Sequence, residues 1–141
     1  MPHEFATPEA AETAFYEAFE AADLEAMMAV WVDQPDIVCI HPGGTRLLGA
    51  AQIRESWRQI FESGERLAFR IAERQAVQDT TLAVHNVYEQ VSIPGQAEEP
   101  AAVLVTNVYL LTDVGWRLWM HHACAPGDAD EDDEDQPPTL H

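Results

Sequence analysis

The sequence predicts an α+β domain in which three helices from the N-terminal half pack on one face of a curved antiparallel sheet. Three observations support this fold class. The chain has 141 residues and is 47% hydrophobic, which suits a single core. Apolar residues follow a helical period in the first half and alternate from residue 67 onward. Short separators divide the second half, and such connections favour antiparallel neighbours.

Two helices are expected first. Thr7 and Pro8 have the residue types of an N-cap and a first helical position. From Phe15 onward, apolar side chains recur at i, i+3, i+4 and i+7, whereas Glu12 and the glutamates that follow it lie largely off this stripe. Asp23 has the residue type of a second N-cap, and the same spacing returns after it. These features predict a helical hairpin.

A short strand, a turn and a third helix follow. The segment IVCIH has strand character and ends at His41, where the sequence Pro-Gly-Gly over 42–44 ends regular pairing. A short extended piece over 45–48 leads to Gly49. Helical spacing then continues to Gly64. Four alternating segments complete the domain, namely LAFRIAERQAVQ, LAVHNVYEQVSI, AVLVTNVYLLT and WRLWMHHACA.

Composition changes abruptly after Pro126. The remainder is dense in acidic residues and has a single large aliphatic side chain, so it cannot bury enough surface to offset the entropy of ordering. We therefore expect a domain over 1–126 and a disordered acidic tail over 127–141. A solubilising role suits such a tail better than a dedicated interaction role, although recruitment of a basic partner stays open.

Charge and cysteine content exclude several classes of protein. A formal net charge of −18 repels phosphate backbones, so nucleic acid is not expected as a partner. All seven basic residues are arginines, which excludes lysine Schiff-base chemistry. The two cysteines form no CxxC pair, and the N-terminus has neither a basic start nor an apolar run. We expect a cytoplasmic protein with reduced thiols and no membrane segment.

Several motifs in this order resemble the nuclear transport factor 2-like superfamily, in particular its SnoaL-like and ketosteroid-isomerase-like proteins. They are the turn HPGG at 41–44, the start of the third helix at 49–53 followed by Trp57, and the closing GWRLWMHHACAP. The resemblance covers about residues 7–126. It implies a cone-shaped sheet wrapped around the helices, an apolar pocket on the concave face and homodimerisation through the outer face.

The resemblance also assigns positions to the isomerase machinery. In ketosteroid isomerases an aspartate base acts with a tyrosine and a protonated aspartate that bind the enolate oxygen. His41 stands at the position of the base, Phe15 at that of the tyrosine and Asn107 at that of the protonated aspartate. Tyr16 is not expected to replace Phe15, because adjacent helical positions differ by about 100° around the axis.

His41 and Asn107 are the candidate catalytic residues. A neutral imidazole with a pKa of about 6.5 could take a proton near neutral pH, and burial would favour its basic form. The alternative is that His41 only hydrogen-bonds the turn. Asn107 lies in an apolar strand and must be paired if it is buried. Its amide could donate to a ligand carbonyl, or it could pair with Tyr88 or His122.

Adjacent histidines in a strand face opposite sides, so His121 and His122 cannot chelate one metal ion. Alternation with Leu118 and Met120 predicts that His122 faces the pocket, while Trp119 and His121 face outward. No metal or other cofactor is expected. Six residues on the helices and the late strands are predicted to line the pocket: Phe15, Trp31, Trp57, Tyr88, Met120 and His122. Aromatic residues at helical spacing are also typical of a plain core.

The sequence thus favours a homodimeric, small-molecule-binding SnoaL-like protein whose ligand is hydrophobic or bears a carbonyl group. If it is an enzyme, a lyase, isomerase or cyclase reaction by proton abstraction is expected, with His41 as base and Asn107 steadying the oxyanion. The alternative is a non-catalytic dimerisation or accessory domain.

Overall fold

The computed structural model describes residues 4–96 and 99–124, which form three helices and six strands in the predicted order. The acidic segment 127–141 lies outside the described residues. The helices are α1 (Pro8–Ala21), α2 (Leu24–Ala29) and α3 (Gly49–Glu62). The strands are β1 (Val38–Ile40), β2 (Leu47–Leu48), β3 (Ala68–Gln78), β4 (Leu82–Ser92), β5 (Ala101–Thr112) and β6 (Gly115–Ala123). The α+β fold class is confirmed.

Both predicted helix starts are present. The hydroxyl oxygen of Thr7 accepts a hydrogen bond from the backbone N–H of Ala10 at 3.0 Å, and a carboxylate oxygen of Asp23 accepts one from Ala26 at 3.0 Å. Each cap satisfies a donor that has no partner within its helix. None of the helices in the described part of the chain has the length and apolarity that a membrane crossing requires.

The sheet has the strand order β2-β1-β6-β5-β4-β3. The four long strands form an antiparallel meander, as their short connections predict. The expectation of a wholly antiparallel sheet is wrong at one place, because β1 pairs with β6 in parallel. A hairpin fixes the direction only of strands that follow each other directly, and most of the chain separates β1 from β6.

The concave face of the sheet carries the core. Alternate residues of β4 and β5 are buried beneath the helices, among them Val87 and Val105, both fully buried. Phe15 of α1 and Trp57 of α3 are also fully buried, and their rings meet edge to face with centroids 5.6 Å apart. One polar residue of α1 departs from the expected pattern. Glu12 is buried, because it accepts a hydrogen bond from His85 at 2.8 Å and pairs with Arg74.

Two β-bulges interrupt the regular alternation of the long strands. In β3 the register with β4 shifts between Ala72 and Gln75, and Glu73 within this bulge has a positive φ of 53°. In β6, Met120 pairs with Val108 while Leu118 pairs with Tyr109, so Trp119 has no partner residue on β5. An unpaired residue moves every later side chain of its strand to the other face.

Candidate functional site

A cavity of about 460 Å³ lies on the concave face, between the sheet and the helices. Its volume falls within the range of small-molecule sites. The apolar part of its wall comes from α1, α3, the long strands and the residues directly beside those strands: Phe19, Ile60, Leu67, Phe69, Val91, Ile93, Ala101, Val103 and Ala123. Among the described residues of the wall, two histidines and three glutamates are titratable: His41, Glu65, Glu89, Glu99 and His121.

Glu89 is the buried carboxyl of this cavity. Strand alternation in β4 turns it to the concave face, where it is 4% exposed. Burial raises the pKa of Glu89 to about 7, although a hydrogen bond from the Tyr16 hydroxyl, at 2.5 Å from Oε2, acts in the opposite direction. Oε1 makes no hydrogen bond to any described residue. The carboxyl can therefore carry or release a proton near neutral pH, with one oxygen available to a ligand.

Tyr16 belongs to a hydrogen-bonded chain that reaches His121. The Nδ2 group of Asn107 donates to the Tyr16 oxygen in a long contact of 3.5 Å, and Oδ1 of Asn107 lies 2.6 Å from Nδ1 of His121. Because Oδ1 can only accept, Nδ1 of His121 carries the hydrogen. Burial, with smaller contributions from the charges of His41 and His122, lowers the pKa of His121 to about 3. His121 is therefore neutral, and its Nε2 is an acceptor.

His41 directly follows β1, which pairs with β6, and it lines the same cavity as Glu89 and His121. Its Nε2 lies 2.9 Å from the hydroxyl oxygen of Ser56, whose own hydrogen is donated to the carbonyl oxygen of Ile53 at 2.7 Å. The serine oxygen then accepts, and so does Sγ of Cys39, which lies 3.6 Å from the same nitrogen, so Nε2 of His41 carries the hydrogen and Nδ1 the lone pair. Burial lowers the pKa of His41, which favours this neutral form.

The structure distributes the eight predicted site residues over three places. His41 lines the cavity. Asn107 is fully buried behind the cavity wall, where it is hydrogen-bonded to Tyr16 and His121. Phe15, Trp31 and Trp57 are core residues that do not line this cavity. Tyr88, Met120 and His122 lie on the outer face of the sheet, since their neighbours in β4 and β6 are the ones that turn inward.

The predicted orientation of the two adjacent histidines is wrong. His121 is 2% exposed and lines the cavity, whereas His122 is exposed on the outer face. The bulge at Trp119 is the physical reason, because it places one extra residue between Leu118 and the histidines and so reverses the alternation. For the same reason, Met120 does not share the face of Leu118.

Sequence reasoning also missed Tyr16 and Glu89. Tyr16 and Phe15 do point in different directions, but the curved sheet covers both: the Phe15 ring lies 4.8 Å from that of His121, and the Tyr16 ring 5.6 Å from that of Phe69. Tyr16 thus supplies a hydroxyl group from α1, which Phe15 lacks. For Glu89 a signal was present, because it alternates in phase with Val87 and Val91.

Known proteins resemble the chain over most of its length. The family model of the SnoaL-like domain matches residues 9–127. A candidate association domain of calcium/calmodulin-dependent protein kinase type II from Thiobacillus denitrificans is 38% identical, with a TM-score of 0.81 over 88% of this chain and 98% of that one. A candidate dehydratase of the NTF2-like family from Streptomyces avermitilis is 30% identical, with a TM-score of 0.74 over 82% and 90%.

More distant relatives share the fold. A domain with a cystatin-like fold from Nostoc punctiforme is 22% identical, with a TM-score of 0.69 over 86% of this chain and 76% of that one. The F-box protein SKIP8 of Arabidopsis thaliana is 23% identical over 111 residues, or 79% of this chain, which spans 46% of that protein. The match of residues 9–127 shows that the chain belongs to the SnoaL-like domain family, within the nuclear transport factor 2-like superfamily.

Proposed function

We propose that the chain is an acid–base enzyme of lyase or isomerase type, with Glu89 as general acid and His41 as general base on a small apolar molecule. The observation that carries this proposal is the state of Glu89. It is a buried carboxyl with a pKa of about 7 that lines a cavity and keeps one oxygen without a partner among the described residues. Groups with perturbed pKa values in a cleft are typical of catalytic sites.

The two groups have complementary protonation states near neutral pH. Burial raises the pKa of Glu89, so its protonated form is substantially populated at neutral pH. Burial lowers the pKa of His41, so its unprotonated form dominates there. Environments that move two pKa values in this way assign the acid to the carboxyl and the base to the imidazole.

The proposed reaction consists of two coupled proton transfers. Nδ1 of His41 takes a proton from a carbon atom of the ligand, and the electron pair of that C–H bond forms a new double bond. Glu89 gives its proton to the oxygen at the far end of the rearranging bonds, which is either a carbonyl oxygen or a departing hydroxyl group. Return of the proton from the imidazolium to the carboxylate restores the enzyme.

This assignment changes the role expected for Asn107. Its carbonyl and amide groups both face protein partners, Tyr16 and His121, and Asn107 is not part of the cavity wall. We assign it a positioning role: it fixes the tautomer of His121 and orients the tyrosine that donates to Glu89. The candidate dehydratase from Streptomyces avermitilis, 30% identical to this chain, supports a search among elimination reactions first.

The proposal is tested by following apolar ketones and hydroxy ketones in heavy water by NMR. Wild-type protein should exchange a carbon-bound proton or form a double bond. Glu89→Gln should lower the rate about 100-fold or more. The wild-type rate should rise as His41 loses its proton and fall above a pH of about 7 as Glu89 does. The rate of the Glu89→Gln variant should not show this decrease at high pH.

Glu17→Gln is the matched control, since Glu17 is exposed on α1 and does not line this cavity. The control should keep the wild-type rate and pH profile. A Glu89→Gln variant as active as wild type, or no conversion of any compound by the wild-type protein, contradicts the proposal.

A second candidate function is a non-catalytic association domain. Two observations favour it: the 38% identity to the candidate association domain from Thiobacillus denitrificans, and a row of apolar side chains on the outer face of the sheet, namely Val77, Val84, Val108 and Met120. This function predicts stable self-association with no conversion of any compound in the screen.

A further inference from the structure

The buried and half-buried side chains of the cavity wall offer hydrogen-bond acceptors. Nδ1–H of His121 is donated to Asn107, which leaves Nε2 as an acceptor without a partner among the described residues. Nε2–H of His41 is donated to Ser56, which leaves Nδ1 of His41 as a second acceptor without a partner among the described residues. Oε1 of Glu89 is a third acceptor whenever the carboxyl is ionised. A ligand that only accepts hydrogen bonds would leave both imidazole acceptors desolvated and unpaired.

The same wall disfavours anions. It contains Glu65, Glu89 and Glu99, and neither arginine nor lysine is among its described residues. A carboxylate or phosphate would enter without a cationic partner and would face like charges in an apolar surrounding. The formal charge of −18 for the chain acts in the same direction.

We infer that the cavity binds an uncharged apolar alcohol, whose hydroxyl group donates a hydrogen bond to Nε2 of His121. The choice of an uncharged hydroxyl group over an ammonium group rests on the proposed function. An ammonium group could also donate to His121, but it would hold Glu89 in the ionised form and remove the proton that the acid must supply. A hydroxyl group can donate to His121 and still accept a proton from Glu89.

The position of His121 supports this assignment. His121 is 2% exposed, and its ring packs against the ring of Phe15 at a centroid distance of 4.8 Å. This packing fixes the orientation of the imidazole. The hydrogen bonds from His121 through Asn107 and Tyr16 reach Glu89. The acceptor and the proposed acid therefore belong to one connected network, and both line the cavity.

This inference selects between the two reactions that the proposed step allows. A hydroxyl group held by His121 is the departing group of a dehydration, and Glu89 protonates its oxygen as the carbon–oxygen bond breaks. The oxygen leaves as water, and the electron pair of the broken C–H bond becomes the new double bond. We therefore place elimination of water before enolisation of a ketone as the reaction of this site.

The test is a binding series on one carbon skeleton. Dissociation constants are measured by calorimetry for adamantylmethanol, its methyl ether, adamantylmethylamine and adamantanecarboxylate. The alcohol should bind about tenfold more tightly than the ether, the value of one net hydrogen bond, and more tightly than the ammonium or the carboxylate. In His121→Phe, the alcohol should weaken to the level of the ether.

His122→Phe is the matched control, because it makes the same substitution on the exposed neighbour. It should leave the alcohol-to-ether ratio unchanged. A nitrogen NMR spectrum of the wild-type protein provides a second readout that needs no variant. The resonance of the unprotonated Nε2 of His121 should shift when the alcohol is added and stay in place when the ether is added.

Several outcomes would overturn the inference. They are equal affinity for alcohol and ether, tighter binding of the ammonium, unchanged alcohol affinity in His121→Phe, and no binding of any compound. None of these depends on turnover. Alcohol binding with the expected ratios but no conversion of hydroxy ketones would count against the proposed acid–base function alone.

Discussion

Glu89 shows how one residue can link stability to function. A carboxyl on the concave face loses hydration that one hydroxyl, that of Tyr16, does not fully replace, and the raised pKa is the result. An apolar residue at this position would spare the fold that penalty. The proposed function supplies a reason for its presence, because an acid that works near neutral pH needs such a pKa.

Glu89 should also make the stability of the domain depend on pH. Its pKa rises from 4.5 to about 7 on folding, so the folded state holds the proton more tightly. The resulting stabilisation is complete below a pH of 4.5 and is lost as the pH rises through about 7. The difference in unfolding free energy between wild type and Glu89→Gln should change by about 3 kcal/mol between these limits, to the disadvantage of wild type.

Urea unfolding of both proteins across this range measures the effect. Glu17→Gln removes an exposed carboxyl of α1 and is the matched control for the loss of one acidic side chain. A difference for Glu89→Gln that stays constant with pH would show that the Glu89 carboxyl titrates normally in the folded state.

At the scale of elements, two bulges decide which side chains meet on the concave face. The bulge at Trp119 in β6 turns His121 inward, and the one around Glu73 in β3 accompanies the contact of Arg74 with Glu12. Neither bulge contains a glycine or a proline that would mark it in the sequence. Alternation read along an isolated strand therefore fails beyond such a point.

The turn between β5 and β6 provides a stability prediction for an element. Gly115 has a φ of 99°, and a Cβ atom there would lie 2.8 Å from the backbone nitrogen of Phe5. Phe5 accepts a hydrogen bond from the N–H of Trp116 at 2.8 Å, so the N-terminal segment is held against this turn. Gly115→Ala should lower the unfolding free energy through both backbone strain and this clash.

Gly64→Ala is the comparison, because Gly64 has a similar φ of 81° but nothing lies within 4 Å of its Cβ position. It should lose about 1–2 kcal/mol from backbone strain alone. Gly115→Ala should lose about 1–3 kcal/mol more, which chemical denaturation measures. Equal losses would mean that the Phe5 segment moves away without penalty.

For the whole molecule, a row of apolar side chains on the outer face of the sheet leads us to expect self-association. Val77, Val84, Val108 and Met120 form a row across four strands, each paired with the next. Val77 is 69% exposed, and Tyr88 on the same face is 39% exposed. Apolar surface of this kind is typical of interfaces.

We expect the protein to be a dimer through this outer face. Val108→Lys places a charge in the middle of the row and should convert the dimer to a monomer, measured by light scattering after gel filtration. Val114→Lys is the matched control, since Val114 is 39% exposed in the β5–β6 turn and away from the row. A wild-type monomer, or a Val108→Lys protein that stays dimeric, contradicts this expectation.

The sequence by itself determined the elements and the family. Caps at Thr7 and Asp23, helical spacing and strand alternation act over a few residues, so local chemistry is enough to predict them. The same local signals placed His41 at a strand end, where it lines the cavity.

Only the tertiary structure decided the composition of the site. The parallel pairing of β1 with β6, the bulge at Trp119 and the curvature of the sheet around α1 arise from contacts between distant segments. Together they bring Tyr16, Glu89 and His121 into one network and leave His122 outside. A change of one residue in register reverses the face of every side chain that follows, so local patterns, which mark Glu89 by its alternation, do not predict the network.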